Sequence, residues 1–384
     1  MPYATGRTFL DADSHVMELP GFLRDHADPA IRDRLPPLDT SSGGRQAPVG
    51  QVGAGGAHEP AHVEELLALG DRLISGPKGY EALGAFNAAE RSLALDLLGF
   101  HRQLVFATYS IKAFFPPEAD AEVAAGAARA HNRAMAAFCA GDDRLVGVGA
   151  TALDRPDAAV AELEHLTGLG LGAVWVPHRP AGKRSPGHDD FDAFWAAAAA
   201  AGIPVVLHVG GAPLQLDPEW MNTGRPVAED WLGGGENIRG KDMIALHHDA
   251  ETFLGALVFD GVLERHRALR VGVIELGAGW VPSMLRRLDR VAEIWRRSEP
   301  ELAAMTRSPS EQITEQVAFT PYPFEDVASL IHESGPDLYL FSSDYPHIEG
   351  GRNPLGRFGA SLEGFGEEVL ERFYAGNLAR LLGA

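Results

Sequence analysis

A chain of 384 residues, 45% of them hydrophobic and 22% charged, has the makeup of a globular protein with a sizeable core. Its formal net charge of −20 excludes nucleic acid as a partner, because phosphate binding needs a surplus of lysine and arginine. A small anionic ligand stays admissible, since a metal or an arginine reverses the field inside a cleft, and the single cysteine, Cys139, excludes an internal disulfide and reads as a small buried hydrophobe.

Residues 1–8 hold no apolar run of signal-peptide length, and the longest apolar run, 193–209, is broken by Gly202 and Pro204. The expectation is a cytoplasmic protein without a membrane partner. The stretch Thr8-Phe9-Leu10-Asp11-Ala12-Asp13-Ser14-His15 then reads as a strand on which Asp11, Asp13 and His15 share one face by the period of two. Two carboxylates and an imidazole facing a core are costly unless paired or bound to a cation. The plainer alternative is that Asp11 turns the chain, Asp13 meets an arginine and His15 is a satisfied core histidine.

Residues 24–38 are charged and punctuated by proline, and 41–56 (SSGGRQAPVGQVGAGG) lack both periodicity and bulky apolar groups. They mark an insertion at about 39–62 that is either an active-site lid or disordered. Helices are expected at 64–73 and 88–98. From there strands at 104–108, 145–152, 173–176, 204–208, 270–275, 316–320 and 338–343 alternate with helices at 118–140, 155–167, 191–201, 243–265, 282–297 and 325–333, and helical turns run over 367–382. With the first strand this makes eight strands, nearly all followed by a helix. The expected fold is α/β, a (β/α)8 TIM barrel over 1–384 as one domain, with the lid-like insertion after strand one. A doubly wound open sheet is the runner-up, but no glycine-rich phosphate loop follows an early strand.

Such barrels carry their chemistry at the C-terminal ends of the strands. Here the first strand ends in Asp13 and His15, the fourth in His178, the fifth in His208, the sixth in Glu275 and the eighth in Asp344, with His347 just beyond. Singly, His178 could follow the turn at Pro177, His347 could cap a loop and Glu275 could pair with an arginine. Together they point to a metal centre.

The runs Asp11-Ala12-Asp13-Ser14-His15, Val205-Val206-Leu207-His208, Val258-Phe259-Asp260-Gly261-Val262-Leu263-Glu264-Arg265, Gly277-Ala278-Gly279-Trp280-Val281-Pro282, Ser343-Asp344-Tyr345-Pro346-His347 and Gly376-Asn377-Leu378-Ala379-Arg380-Leu381 occur in this order along the chain. In them the sequence resembles the amidohydrolase superfamily, in the branch typified by aminocarboxymuconate-semialdehyde decarboxylase. The resemblance implies Asp13, His15, His208 and Asp344 as ligands of one divalent ion, Zn²⁺ or Mn²⁺. Asp13 stands where the first histidine of a His-x-His pair is usual and favours harder ions. No lysine lies in the fourth strand, so a second, carboxylate-bridged metal is not expected. The histidine that usually ends the sixth strand is replaced by Glu275, which is assigned to proton transfer or to anchoring substrate, with His178 and His347 as further candidates. Dimers are common in the family, so a homodimer is expected.

Two reactions suit one activated ion. Hydrolysis of an amide, lactone or related bond would use Asp344 as general base and later acid; non-oxidative decarboxylation of an aromatic or unsaturated acid would deliver a proton to the carbon that loses CO₂. Three carboxylates, Asp13, Glu275 and Asp344, against one divalent cation leave an excess of about one negative charge, which tilts the reading towards hydrolysis of a neutral substrate. Arg45, Arg179 or Arg225 could restore affinity for a carboxylate. A barrel that binds a ligand without turnover is the third reading, motivated by the missing histidine. His247, His248, Trp220, Trp231 and Trp280 read as either packing or substrate contacts.

Overall fold

Valine-rich runs shielded on both faces form parallel strands, and seven of them lie side by side in one sheet of the computed structural model, which describes residues 1–35, 37–42, 45–46, 52–53, 56–226 and 238–383. They are β1 (Leu10–Val16), β2 (Arg102–Ala107), β3 (Leu145–Ala150), β4 (Ala173–Trp175), β5 (Val205–His208), β6 (Val271–Ile274) and β7 (Val317–Phe319), paired in sequence order. Alternate residues divide between two cores. Leu104, Phe106, Trp175, Val206, Ile274 and Ala318 join one, while Val105, Val174, Val205, Leu207, Val273 and Val317 join the other, packed with the helices.

The expected eighth strand differs. Residues 338–345 touch both edges of the sheet through isolated bridges, Phe319 with Tyr339 and Ser14 with Tyr345. Leu340 N donates to Phe319 O at 2.9 Å, Ala12 N to Phe341 O at 3.0 Å and His15 N to Tyr345 O at 2.8 Å. A ladder needs consecutive extended residues, and Asp344 at φ +52° interrupts one. The sheet is therefore curled, its two edges meeting the same segment.

Helices follow the strands, with local chemistry setting their ends. Asn87 caps α1 (Ala88–Leu98) by accepting from Glu90 N, and Asp120 caps α2 (Ala121–Cys139) through Glu122 N and Val123 N. Next come α3 (Pro156–Gly168), α4 (Asp192–Ala201), α5 (His248–Phe259), α6 (Val281–Trp295), α7 (Pro309–Gln316) and α8 (Val327–Ser334). The helix expected over 243–265 is broken into Gly240–Ala245, α5 and Val262–Arg265, and the second break falls where Gly261 adopts φ +72°. Helix α7 falls in a stretch for which no helix was expected, although Ser308 and Glu311 form a capping box at its start. The helix expected at 64–73 is instead Pro60–Leu67 followed by a 3₁₀ stretch at Gly70–Ser75.

Of the expected insertion, residues 43–44, 47–51 and 54–55 lie outside the described residues, as does Trp231. The described part includes a two-residue hairpin, Ser41–Ser42 with Arg45–Gln46. Its far end is pinned at the buried His58, whose backbone N–H donates to Glu90 at 2.8 Å and whose ring nitrogens lie 2.6 Å from Glu90 Oε2 and 2.7 Å from Tyr80 O. Among the described residues no helix is long and apolar enough to cross a membrane.

Candidate metal centre

Five chemically active side chains converge where the strands end. Asp13 and His15 lie near the end of β1, His208 is the last residue of β5, Glu275 follows β6, and Asp344 sits in the segment between β7 and β1. Asp13 Oδ1 is 3.3 Å from both His15 Nε2 and His208 Nε2; Glu275 Oε2 is 3.4 Å from His208 Nε2, and Asp344 Oδ1 is 3.6 Å from His15 Nε2. Ligand atoms of Asp13, His15, His208 and Glu275 lie within 4.8 Å of one another, as do those of His15, Asp344 and His347. Residues from opposite ends of the chain, Asp13 and Asp344 among them, thus share one buried spot.

Backbone carbonyls orient the two histidines. His15 Nδ1 lies 3.2 Å from Ala107 O and His208 Nδ1 2.9 Å from Val209 O, so each Nδ1 carries the proton and each Nε2 turns a lone pair to the centre. His15 Nε2 and both carboxylate oxygens of Asp344 are buried without a hydrogen-bond partner among the described residues. Such atoms are expensive to bury unless something satisfies them, and a divalent cation held by imidazole nitrogens and carboxylate oxygens fits the donor set. Burial raises the Asp13 pKa, but the facing imidazoles of His208 and His15 outweigh it and hold the carboxyl below its usual range. Burial, with the neighbouring charges of His347 and His208, lowers His15 to about 4, so its imidazole is neutral as a ligand must be.

Glu275 and Asp344 both adopt left-handed backbone, φ +56° and +52°, which costs a non-glycine residue about 1–3 kcal/mol. Neighbours hold them there. Glu275 N donates to Thr320 Oγ1 at 2.7 Å, Tyr322 Oη to Glu275 O at 3.1 Å, and Asp344 N to Asp13 O at 2.8 Å. A cavity of about 30 Å³, room for one water or ion, touches Asp13, Glu275, Thr320 and Asp344.

Asp11, on the same strand, does not join the ligand group. Its Oδ1 accepts from Ser343 N at 2.7 Å and Asp13 N at 3.3 Å, and its Oδ2 from Ser343 Oγ at 2.6 Å and Gln103 Nε2 at 2.8 Å. The register shift between Asp11 and Ser14 separates it from Asp13 and His15. Asp11 is thereby a clamp between β1, β2 and the segment that carries Asp344. Burial, opposed by the bonds from Ser343 and Gln103, raises its pKa to about 7.

A cavity of about 510 Å³ opens onto His15, His208 and His347 and is walled by Tyr80, Tyr109, Trp175 and Leu214. His347 stacks on His15 at 3.8 Å, with its Nδ1 3.2 Å from Asp344 Oδ1 and its Nε2 3.0 Å from Thr108 Oγ1. The wall also contains Lys78 and Lys112, which sequence reasoning missed. Lys78 stands in the turn Gly76-Pro77-Lys78-Gly79, and nothing local distinguishes it from a solvated turn lysine. The loop after β2 that carries Tyr109 is held by the buried Glu18, which accepts from Thr108 N, Tyr109 N and Ser110 N at 2.9, 3.0 and 2.8 Å.

Other expected contacts fall elsewhere. His178 is buried beside Gly211, whose carbonyl accepts its N–H at 3.0 Å, and belongs neither to the ligand groups nor to the cavity wall. Burial, then the charge of His208, lowers it to about 3, so it stays neutral. Arg179 is taken by Asp154 at 2.8 Å, Arg225 is exposed, and the side chain of Arg45 lies outside the described residues. His247 stacks on Trp280, whose indole N–H donates to Gly277 O, and Trp220 is 66% exposed. Cys139 is half-buried against the core, and burial pushes its thiol up to about 12.

The family description Amidohydrolase matches residues 91–384. Decarboxylase orsB of Emericella nidulans is 27% identical over 284 residues, 70% of this chain and 79% of that protein. Among solved structures, an amidohydrolase from Mycobacterium avium subsp. paratuberculosis K-10 aligns over 99% of both chains with a TM-score of 0.72 and 21% identity. The 5-carboxyvanillate decarboxylase of Novosphingobium aromaticivorans DSM 12444, complexed with manganese and 4-hydroxy-3-methoxy-5-nitrobenzoic acid, aligns over 100% of this chain and 99% of its own with a TM-score of 0.67 and 17% identity. At such identities the structural likeness speaks to the fold.

Proposed function

Since this chain belongs to the amidohydrolase family of enzymes, we propose that it is a divalent-metal-dependent, non-oxidative decarboxylase of a small aromatic or unsaturated carboxylic acid. The observation that carries the reading is the convergence of Asp13, His15, His208 and Glu275, with Asp344 3.6 Å from His15, beside a cavity large enough for one substituted aromatic ring. Relatives named as decarboxylases turn the choice away from hydrolysis, which the charge count had favoured. The proposal takes residues 338–345 as the eighth stave of a closed (β/α)8 barrel spanning 1–384, acting as a cytoplasmic homodimer.

Asp13, His15, His208 and Asp344 would hold one ion, manganese or zinc, with Glu275 within reach of the same spot. Once bound, the ion supplies a Lewis acid that fixes and polarises an oxygen of the substrate. The chain's own residues supply the rest. Trp175 and Phe106 pack on His208 at 4.9 and 4.3 Å and give the site an apolar floor. Decarboxylation exchanges a carbon–carboxylate bond for a carbon–hydrogen bond, releases CO₂ and consumes one proton. We assign delivery of that proton to Asp344, with His347 positioned between it and Thr108 to resupply it, and keep Glu275 as the second candidate.

The test is CO₂ release from 5-carboxyvanillate and other hydroxylated aromatic acids by manganese- and zinc-loaded protein, alongside acid release from lactones and amides. Acid release without CO₂ would replace this reading by hydrolysis, which the surplus of carboxylates, Asp13, Glu275 and Asp344, favours. Neither product, with less than about a tenth of an equivalent of divalent ion in folded protein, would favour a non-catalytic binding barrel.

A further inference from the structure

Lys78 projects from a loop far from every ligand in sequence, yet its ammonium is buried at the wall of the cavity that opens on His15, His208 and His347. Among the described residues Nζ makes no hydrogen bond and no ion pair. A buried ammonium is strongly disfavoured without an acceptor, so a position that keeps one this way is suited to an oxygen the protein itself does not provide. Two contacts fix the residue. Its ammonium lies 5.5 Å from the centre of the Tyr345 ring, and the next residue, Gly79, donates its N–H to Pro346 O at 2.9 Å. Lys78 is thus tied to the loop that follows Asp344, and the cation and the carboxylate share one support. Burial lowers its pKa to about 8, opposed by Asp344 and Glu349.

We propose that Lys78 is the anion-recognition residue of this cavity, receiving a carboxylate or phenolate oxygen of a substrate seated against His15, His208 and Asp344. The proposal rests on the reading of the substrate as a small carboxylic acid. Other cations serve less well: Lys112 is exposed over Tyr109 at 5.2 Å, and Arg179 is already paired with Asp154. A positive charge at Lys78 also offsets the electrostatic objection to an acid, since the carboxylates of the metal centre no longer face an incoming anion alone.

Binding of salicylate and of its neutral counterpart salicylamide to manganese-loaded protein, measured by titration calorimetry, tests the assignment. Lys78→Met is expected to weaken salicylate by about 10- to 100-fold, the worth of one charge-assisted hydrogen bond, with salicylamide and metal content little changed, and Lys78→Arg is expected to recover most of the loss. Should Lys78→Met fail to fold by its melting curve, Lys78→Gln against Lys78→Arg makes the same comparison. Equal salicylate affinity in variant and wild type, equal losses for both probes, or a wild type that does not bind salicylate would each overturn it. Lys78-dependent salicylate binding without CO₂ release from any acid would refute decarboxylation alone. CO₂ release with salicylate affinity indifferent to Lys78 would refute this assignment alone.

Discussion

Replacing Asp11 by alanine removes the acceptor on which Ser343 N, Ser343 Oγ and Gln103 Nε2 converge at 2.7, 2.6 and 2.8 Å in a fully buried position. The serine hydroxyl can turn to another acceptor, but the Ser343 amide and the Gln103 side chain cannot. Each stranded donor costs about 1–3 kcal/mol, so the two together cost about 2–6 kcal/mol. Relief of the buried carboxyl, whose pKa burial has pushed to about 7, offsets part of this, and the expected net loss is about 2–4 kcal/mol from a total of typically 5–15. Urea unfolding followed by circular dichroism reads it as a lower midpoint with unchanged slope. Because Ser343 adjoins Asp344, affinity for manganese is expected to fall about 10- to 100-fold in the same variant. Asp11→Asn, which keeps one oxygen for Ser343 N, is expected to lose less on both counts. A midpoint equivalent to less than about 1 kcal/mol of destabilisation, with metal affinity intact, would refute the clamp.

Other perturbations bear on separate parts of the molecule. Glu275→Gln is expected to slow CO₂ release by about a hundredfold or more while metal content holds; unchanged turnover removes Glu275 from the chemistry. His208→Ala is expected to abolish the rise in melting temperature that added manganese gives the wild type, and an equal rise in both would remove His208 from the ligand set. At His58, burial opposes the charged ring, but Glu90 and Tyr80 O prevail and raise its pKa, while the same contacts outweigh burial at Glu90 and lower its own. The histidine's contribution is full below its unfolded value of about 6.5 and fades as pH rises through the raised folded value; the glutamate's is full above about 4.3 and fades as pH falls through the lowered one. Melting curves across pH should therefore show a component between these limits that Glu90→Gln removes, and an unaltered profile would contradict it. Gly350→Ala would place a Cβ 2.0 Å from Ser343 O and 3.0 Å from Asp344 Cβ, so a drop of several degrees in melting temperature, about 1–3 kcal/mol, is expected with loss of metal; wild-type behaviour would mean the turn adapts freely.

The polar side chains that converge at the strand ends were legible because each obeys a local rule. A short apolar run that gives way to a polar residue marks the C-terminal end of a strand, and Asp13, His15, His208, Glu275 and Asp344 all stand near such points. The helix start at Ala88, capped by Asn87, fell where it was expected, whereas the one at Ala121, capped by Asp120, lies three residues beyond the expected start at 118. The long helix expected over 243–265 failed in its second half because the apolar pattern continues through Gly261, whose left-handed backbone separates α5 from Val262–Arg265.

Order along the chain, the alternation of strand and helix, and which residue types sit where strands stop were determined by the sequence alone, because each depends on neighbours a few positions away. Tertiary structure decided what distance in sequence conceals. Asp11 and Asp13 are two residues apart and chemically alike, yet one clamps Ser343 and the other faces His208, and the difference comes from a register shift set by β2 and residues 338–345. His178 follows β4 and His347 follows the segment 338–345, but only His347 reaches the cavity. Lys78 acquires meaning only when its turn is laid against Pro346, since whether a charge is solvated or buried depends on what packs over it from elsewhere in the chain.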